Sequence, residues 1–384
     1  MTAPKLRFSE FKDEWNEKLL SDFTTFSKGK GLSKSDIVKN GKNPCIRYGE
    51  LYTTYGSTIS ETISYTNLDK NNCVLSKKNQ IIIPSSGETQ IDIATASCVL
   101  SDDIILGGDL NILTTNENGI FLAYYLSSAK KNDIAQLAQG NSVVHLYAKE
   151  LATLKINYPS KEEQTKIAEF LSAVDDKISQ LSRQLELLNQ YKKGVMQKIF
   201  SQEIRFKNDN GEDFGEWDYL QLGELIEESK AVSKKQDEFD VLTSSRRGLI
   251  KQSKYFEGSR LIDRDNVGFN IIKPHEITYR SRSDDGLFYF NFNSLGITGI
   301  ISTYYPVFSF KNSNNKFVTE YLNFNKADFS KYAVGTSQLV LSLNALRTVK
   351  LRIPSKPEQQ KIAGFLTAID ERIDHTTAQL THTK

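Results

Sequence analysis

Cysteine, histidine and long apolar runs are what this 384-residue sequence has least of. Its three cysteines, Cys45, Cys73 and Cys98, are odd in number and form no CxxC pair. That argues against a disulfide framework or a cysteine-rich zinc site and predicts buried free thiols. The four histidines, His145, His275, His375 and His382, never fall in HxxxH or HExxH spacing, so a metal enzyme is disfavoured. Apolar runs such as Ile81-Ile82-Ile83 are far short of the ~20 residues of a membrane span. Met1-Thr2-Ala3-Pro4-Lys5 leads straight into charged sequence rather than a signal peptide, so a cytoplasmic protein is expected. No GxxxxGK[ST] phosphate loop occurs, and no Pro-Pro from which an Asn/Asp-Pro-Pro-aromatic methyltransferase motif could be built. Gly29-Lys-Gly31 and Gly107-Gly108 read as turns, not as a dinucleotide fingerprint. Among the paired acids Asp102-Asp103, Asp175-Asp176 and Asp284-Asp285, the second reads as a helix edge rather than a nuclease centre.

What is present is an ordinary folding composition, 39% hydrophobic and 25% charged, in a length that suits two or three units. The net charge of +2 is evenly spread: residues 1–158 hold 17 basic and 17 acidic side chains, and residues 205–353 hold 21 and 19. Any nucleic-acid site must therefore be a local patch.

Self-comparison organises the chain. Pro159-Ser-Lys-Glu-Glu-Gln-Thr-Lys-Ile-Ala-Glu-Phe-Leu-Ser-Ala-Val-Asp175 returns as Pro354-Ser-Lys-Pro-Glu-Gln-Gln-Lys-Ile-Ala-Gly-Phe-Leu-Thr-Ala-Ile-Asp370, and 13 of 22 positions are identical over Pro159–Gln180 and Pro354–His375. Upstream, Gly140-Asn-Ser142 answers Gly335-Thr-Ser337, Phe121-x-x-x-Tyr125 answers Phe317-x-x-x-Tyr321, and each half opens on Arg-Phe then Trp: Arg7-Phe8 with Trp15, Arg205-Phe206 with Trp217. Between these anchors the halves diverge.

The shared segment predicts a helix from about residue 162 to 200, with Glu162 and Glu163 in its first turn favouring the dipole. Its apolar seam alternates steps of four and three through Ile167, Leu171, Val174, Ile178, Leu181, Leu185, Leu188, Lys192, Val195 and Ile199, broken only by the lysine. The second copy carries Ile362, Leu366, Ile369 and Ile373 and a shorter continuation. Two seams in one chain suggest that the helices pack together, antiparallel if a pseudo-twofold axis relates the halves.

Short strands are expected at residues 80–84, 103–106, 109–113, 239–243, 269–272, 276–279 and 305–310, and helices near 120–128 and 316–323. The expected fold is thus α+β: mixed domains at 1–158 and 205–353, separated by long repeated helices at 159–204 and 354–384 that pack as an antiparallel coiled coil.

Two loops in the second half carry basic and hydroxyl residues at strand ends. Ser244, Ser245, Arg246 and Arg247, with Lys251 and Lys254 nearby, form one; Tyr279, Arg280 and Arg282 form the other. Arginine forks match guanine O6 and N7 in the major groove, while hydroxyls and lysines suit phosphates. In the first half, Arg47 and Tyr48 occupy the slot of the first loop, and Ser85, Ser86 and Gln90 the slot of the second. Gln90 has the donor–acceptor pair to read adenine, and Lys28, Lys30 and Lys34 suit backbone phosphates.

The doubled Pro-Ser-Lys-x-Glu-Gln-x-Lys-Ile-Ala-x-Phe-Leu-x-Ala-x-Asp segment, with the upstream Gly-x-Ser, closely resembles the specificity subunit of type I restriction–modification systems, over the whole chain. The resemblance implies two target recognition domains, each reading half of a bipartite, asymmetric sequence in double-stranded DNA, and helices that set the spacer and dock two modification subunits. It implies a chain without catalytic function or cofactor of its own. S-adenosylmethionine, ATP and Mg would belong to the modification and restriction (translocase and endonuclease) partners. The alternatives are a coiled-coil scaffold with two protein-binding domains, or a stand-alone methyltransferase or nuclease.

Overall fold

The computed structural model describes residues 4–140, 143–255 and 265–384. Ser142 of the Gly-x-Ser motif lies outside them. The chain divides into two compact units, up to Ser179 and from Gln180 on.

In the first unit the described strands are β1 (Asn16–Leu19), β2 (Thr24–Lys28), β3 (Asn43–Ile46), β4 (Thr58–Ile59), β5 (Ser64–Thr66), β6 (Ile81–Pro84), β7 (Ser86–Gly87), β8 (Ser97–Val99), β9 (Ile105–Leu106), β10 (Leu110–Thr115), β11 (Val144–His145) and β12 (Lys155–Tyr158). Helices α1 (Tyr48–Thr53), α2 (Gln90–Ile93), α3 (Gly119–Ser127), α4 (Lys131–Leu137) and α5 (Ala148–Ala152) pack around them, and α6 (Lys161–Phe200) follows. A five-stranded sheet runs β2-β10-β6-β8-β4 and a three-stranded one β5-β3-β9. The Ile81-Ile82-Ile83 run is wholly buried because β6 lies inside the larger sheet: Ile81 and Ile83 join one core and Ile82 the other.

The second unit repeats the plan with β13 (Asp218–Gln221), β14 (Ile226–Glu228), β15 (Asp240–Ser245), β16 (Gly248–Lys251), β17 (Asn270–Ile272), β18 (Ile277–Tyr279), β19 (Arg282–Ser283), β20 (Phe290–Phe292), β21 (Gly299–Ile301), β22 (Val307–Phe310), β23 (Leu339–Val340) and β24 (Lys350–Ile353). Its helices are α7 (Leu222–Leu225), α8 (Gln252–Tyr255), α9 (Asn315–Phe324), α10 (Leu343–Thr348) and α11 (Lys356–Thr383). Sheets β14-β22-β18-β20 and β16-β15-β21-β17 share the pairing order of β2-β10-β6-β8 and β5-β3-β9, while β4 extends the larger sheet of the first unit alone and β17 the second sheet of this one. β3 and β15 each pair antiparallel with one neighbour and parallel with another. The small ladders β7–β11 and β19–β23 correspond as well. Gly140 and Gly335 precede β11 and β23 at φ +122° and +120°, and a Cβ on either would come 2.2 Å from a carbonyl oxygen, of Val143 or Gln338. Only glycine fits there.

The repeated Glu-Gln is a clip. Arg7 donates from Nε and Nη2 to the two carboxylate oxygens of Glu163 at 2.6 and 2.7 Å, and also to the Asp13 carbonyl. Arg205 does the same with Glu358 at 3.1 and 2.8 Å and with the Gly215 carbonyl. Gln164 accepts from the backbone N–H of Asn118, the N-cap of α3, and donates to the Pro159 carbonyl. Gln359 repeats both bonds with Asn314, the N-cap of α9, and Pro354. The motif thus joins the opening Arg-Phe, the capped helix and the long helix of each unit. Glu163 is buried in this pair rather than serving the helix dipole. Glu162 keeps that role, its carboxyl held below the usual range by its own backbone N–H and the Ser160 hydroxyl.

None of the ten seam positions from Ile167 to Ile199 is exposed. Within the second unit, Lys192 meets Asp370 at 2.7 Å, and further along Arg205 meets Glu358, earlier in α11. The end of α6 therefore runs antiparallel to α11, with Val195, Met196 and Ile199 against Ile362, Leu366, Ile369 and Ile373. The lysine that breaks the seam lies in an ion network: Lys192 and Lys316 both contact Glu320 and Asp370. Cys45 and Cys98 are buried free thiols, pushed up to about 11 and about 12 by desolvation; Cys73, also free, is only half-buried, contrary to expectation.

Candidate nucleic-acid interface

The first arginine loop is a two-residue hairpin turn. Ser245 pairs with Gly248 across β15 and β16, and Gly248 takes φ +122°. The Ser245 hydroxyl donates to the Gly248 carbonyl at 2.8 Å and accepts from the Arg247 backbone N–H. The Asn291 amide donates to the Ser244 hydroxyl at 2.6 Å and to the Ser245 carbonyl at 3.0 Å. Ser244 and Ser245 are buried, so they shape the turn and do not reach a ligand, which corrects their selection as direct contacts. The turn leaves Arg246 and Arg247 exposed. Arg246 reaches Asp285 at 2.7 Å and lies 5.6 Å from the Tyr289 ring centroid, and Lys326 sits over the same ring at 4.7 Å.

The second loop leaves β18. Tyr279 is wholly buried, its hydroxyl donating to the Leu341 carbonyl at 2.8 Å and its phenol pushed up by burial; it too is a core residue, not a contact. Arg280 and Arg282, next along, are exposed. Arg280 stands 3.9 Å from Asp284, and Arg282 stacks over Tyr304 at 4.7 Å. Gln338 donates to Asp284 at 2.8 Å. The adjacent acids Asp284 and Asp285 contact Arg280 and Arg246, so these two arginines share one surface. The Asp285 carboxyl is held below the usual range by the Ser283 hydroxyl, the Leu287 N–H and Arg246, and stays charged. Lys251 is not part of this group: it pairs with Asp240 at 2.7 Å at the other end of the hairpin. Lys254, on α8, is exposed.

In the first unit, Arg47 is half-buried and tied to Glu50, which is buried and also accepts from the Ser64 hydroxyl. Tyr48 packs against the core beneath the smaller sheet. Ser85 and Ser86 are buried in the β6–β7 turn, a second correction of the same kind. Gln90 is exposed at the start of α2, with one long bond, 3.4 Å, to the Ala138 carbonyl. Lys28, Lys30 and Lys34 are exposed around the Gly29–Gly31 turn. There Gly29 lies against Gly107 so closely that a Cβ would stand 1.8 Å from the Gly107 oxygen. The glycine pairs are a backbone crossing that brings the lysine loop against the end of β9.

Sequence reasoning missed Tyr289, Tyr304, Lys326 and Gln338. Tyr304 had a faint signal, an aromatic in a polar turn before Pro306; the others reach the arginine loops, through Arg246, Tyr289 or Asp284, only by way of the fold. Among the described residues no cluster of three or more His, Cys, Asp or Glu is placed to hold a metal ion. No helix of the described residues is long and apolar enough to cross a membrane.

A family model described as the type I restriction modification DNA specificity domain matches twice, over residues 12–190 and 215–382. The type I restriction enzyme MjaVIII specificity subunit of Methanocaldococcus jannaschii is 24% identical, over 94% of this chain and 87% of that protein. The crystal structure of the type I restriction-modification system S subunit from M. genitalium superposes with a TM-score of 0.62 at 17% identity, covering 99% of this chain and 95% of that one, a likeness of fold.

Proposed function

This chain belongs to the type I restriction modification DNA specificity family, and on that premise we propose that it is the sequence-specific DNA-binding subunit of such a complex, each unit reading one half of a bipartite site. The observation that carries the reading is the pairing of a repeated clip with divergent loops. Arg7–Glu163–Gln164 and Arg205–Glu358–Gln359 make the same bonds. The solvent-facing loops share almost nothing: an Arg-Arg hairpin in one unit, a glycine–lysine turn and Gln90 in the other. One attachment with two different reading surfaces suits two different half-sites.

In the second unit Arg246 and Arg282 present guanidinium groups backed by tyrosine rings, an arrangement that lowers the entropy lost when a fork engages a base edge or phosphate. In the first, Gln90 and the three lysines supply one base reader and a phosphate grip. Catalysis would come from partners: modification subunits that use S-adenosylmethionine, and restriction subunits that use ATP and Mg. The repeated helices would dock those partners, and α6, about 60 Å long at ~1.5 Å per residue, would set the spacer.

The test is to express the chain with a cognate modification subunit and map methylated genomic adenines. Two constant half-sites at a fixed gap are expected. Replacing residues 1–158 by the matching domain of a relative should change one half-site alone. Methylation by the purified chain without a partner, or a swap that alters both half-sites, would refute the assignment.

A further inference from the structure

The hairpin that follows each repeated glycine carries a row of side chains that differs completely between the units. In the first unit His145 pairs with Ser86 on one side and with Gln139 on the other. The Gln139 N–H donates to the His145 carbonyl at 2.9 Å, and the His145 N–H to the Gln139 carbonyl at 2.7 Å. In the second unit Val340 pairs with Arg282 on one side and Val334 on the other, with the same two backbone bonds at 2.8 and 3.0 Å. Directly opposed residues of an antiparallel pair project to the same face. The equivalent rows are therefore Ser86–His145–Gln139 and Arg282–Val340–Val334.

Both rows face outward. Val144 and Leu146, on either side of His145, are 3% and 0% exposed, whereas His145 and Gln139 are exposed. In the second unit Arg282 and Val334 are exposed beside the buried Ser283 and Leu341. Each row adjoins the surface described above. Gln338, two residues before Val340, donates to Asp284, which contacts Arg280. The Gln90 amide donates to the carbonyl of Ala138, the residue before Gln139. An exposed tyrosine backs each row: Arg282 lies 4.7 Å from the Tyr304 ring centroid, and the His145 imidazole stacks on Tyr147 at 6.2 Å and 25°.

Chemistry separates the two rows. Both arginines of the first unit are tied elsewhere, Arg7 to Glu163 and Arg47 to Glu50. That unit therefore presents no free guanidinium fork, and its row offers an amide and an imidazole instead. A glutamine amide sets an acceptor beside a donor, which matches adenine N6 and N7 in the major groove. An imidazole N–H is a single donor and suits one purine acceptor.

We infer that Gln139 and His145 are base-reading side chains of the first unit, in the row where the second unit places Arg282, and that Gln139 reads an adenine. The inference rests on the DNA-reading function proposed above and adds to it two residues and a base. The Gly140 turn fixes the backbone of the row, and the row's side chains are free to vary without disturbing it.

The test expresses the full chain with a cognate modification subunit and maps methylated genomic sites. The parent should give two half-sites. Gln139→Ala and His145→Ala should each relax discrimination at one or two positions of a single half-site by about tenfold or more, leaving the other half-site unchanged. Both side chains are exposed and the bonds that hold the row are backbone bonds, so the thermal midpoint should not move; if one variant fails to fold, the other decides. A synthetic duplex then tests the contact. 7-Deazaadenine, placed where Gln139→Ala relaxes the site, removes the N7 acceptor; it should weaken binding of the parent complex severalfold and that of the Gln139→Ala complex hardly at all. Arg282→Lys keeps the charge and loses the fork, so it should relax a guanine in the other half-site with an unchanged salt dependence. Parent-like maps from both first-unit variants, relaxation of both half-sites together, or a Gln139 position that is not an A·T pair would overturn the inference, while the parent's two half-sites would leave the DNA-reading function standing. A parent complex that methylates no two-part site would overturn that function and the inference with it.

Discussion

Replacing Glu358 by alanine tests whether the Glu-Gln motif acts as a clip. The Glu358 side chain is 1% exposed and takes two bonds from Arg205, itself 24% exposed. Removal leaves a guanidinium with its Nε and half of its Nη2 donors facing space that water enters poorly. Breaking a buried pair by deleting one partner costs about 3–5 kcal/mol. Arg205 retains its bond to the Gly215 carbonyl and some hydration, which lowers the expectation to roughly 2–4 kcal/mol. For a unit of this size, about 2–4 °C is lost per kcal/mol, so the melting transition that includes the second unit should fall by roughly 5–15 °C. Calorimetry and urea titration of the full chain measure it. The double replacement Arg205→Met with Glu358→Leu removes both charges and keeps volume, and should recover all but about 1 kcal/mol. If Glu358→Ala lies within about 0.5 kcal/mol of the parent, or the double variant is as unstable as the single one, the pair is not what holds the long helix to its domain.

Further expectations concern the loops. Arg246→Ala, Arg280→Ala and Arg282→Ala should each weaken recognition of one half-site only, by about 1–3 kcal/mol where a base contact is lost, or uniformly with a flatter salt slope where a phosphate contact is lost; wild-type binding by all three across a salt titration would discard this surface. Under the proposed function, Asp285, which pairs with Arg246 at 2.7 Å, would compete with DNA for it. Its folded pKa is depressed, so the contact it provides is complete above the ordinary carboxylate pKa and is lost only as pH falls through the lower folded value. Asp285→Asn should therefore raise DNA affinity by the same factor at pH 5 and pH 8, with a steeper salt dependence, and a gain confined to one end of that range would show the carboxylate to be neutral there.

The sequence disclosed the repeated parts well because repetition and helical periodicity are local signals. The α6 seam, α3, α9 and the inner strands β6, β18 and β22 follow from apolar period and turn residues. The clip was visible only as identity. Nothing in Pro-Ser-Lys-x-Glu-Gln reveals that the glutamate is buried against an arginine 156 residues away. The serines misled for a physical reason: a hydroxyl at a strand end serves a turn as well as a phosphate, and burial decides between them. Tyr279 misled likewise, since an aromatic between polar residues reads as exposed until β18 proves to be interior. Arg246, Tyr289 and Lys326 meet through tertiary structure, which leaves no periodic trace.

The duplicated clip also bears on modularity. The two copies of the Pro159–Gln180 segment share 13 of 22 residues, so the protein carries two equivalent joints, one in each half. A cut and rejoining inside the motif would fall where each glutamate accepts from an arginine and each glutamine seats an asparagine-capped helix in the same way. A fold that attaches each domain through the same clip is built for exchange of whole domains. Under the proposed function, a domain received from a relative would need to match only the arginine, the capped helix and the glutamate–glutamine pair of the joint.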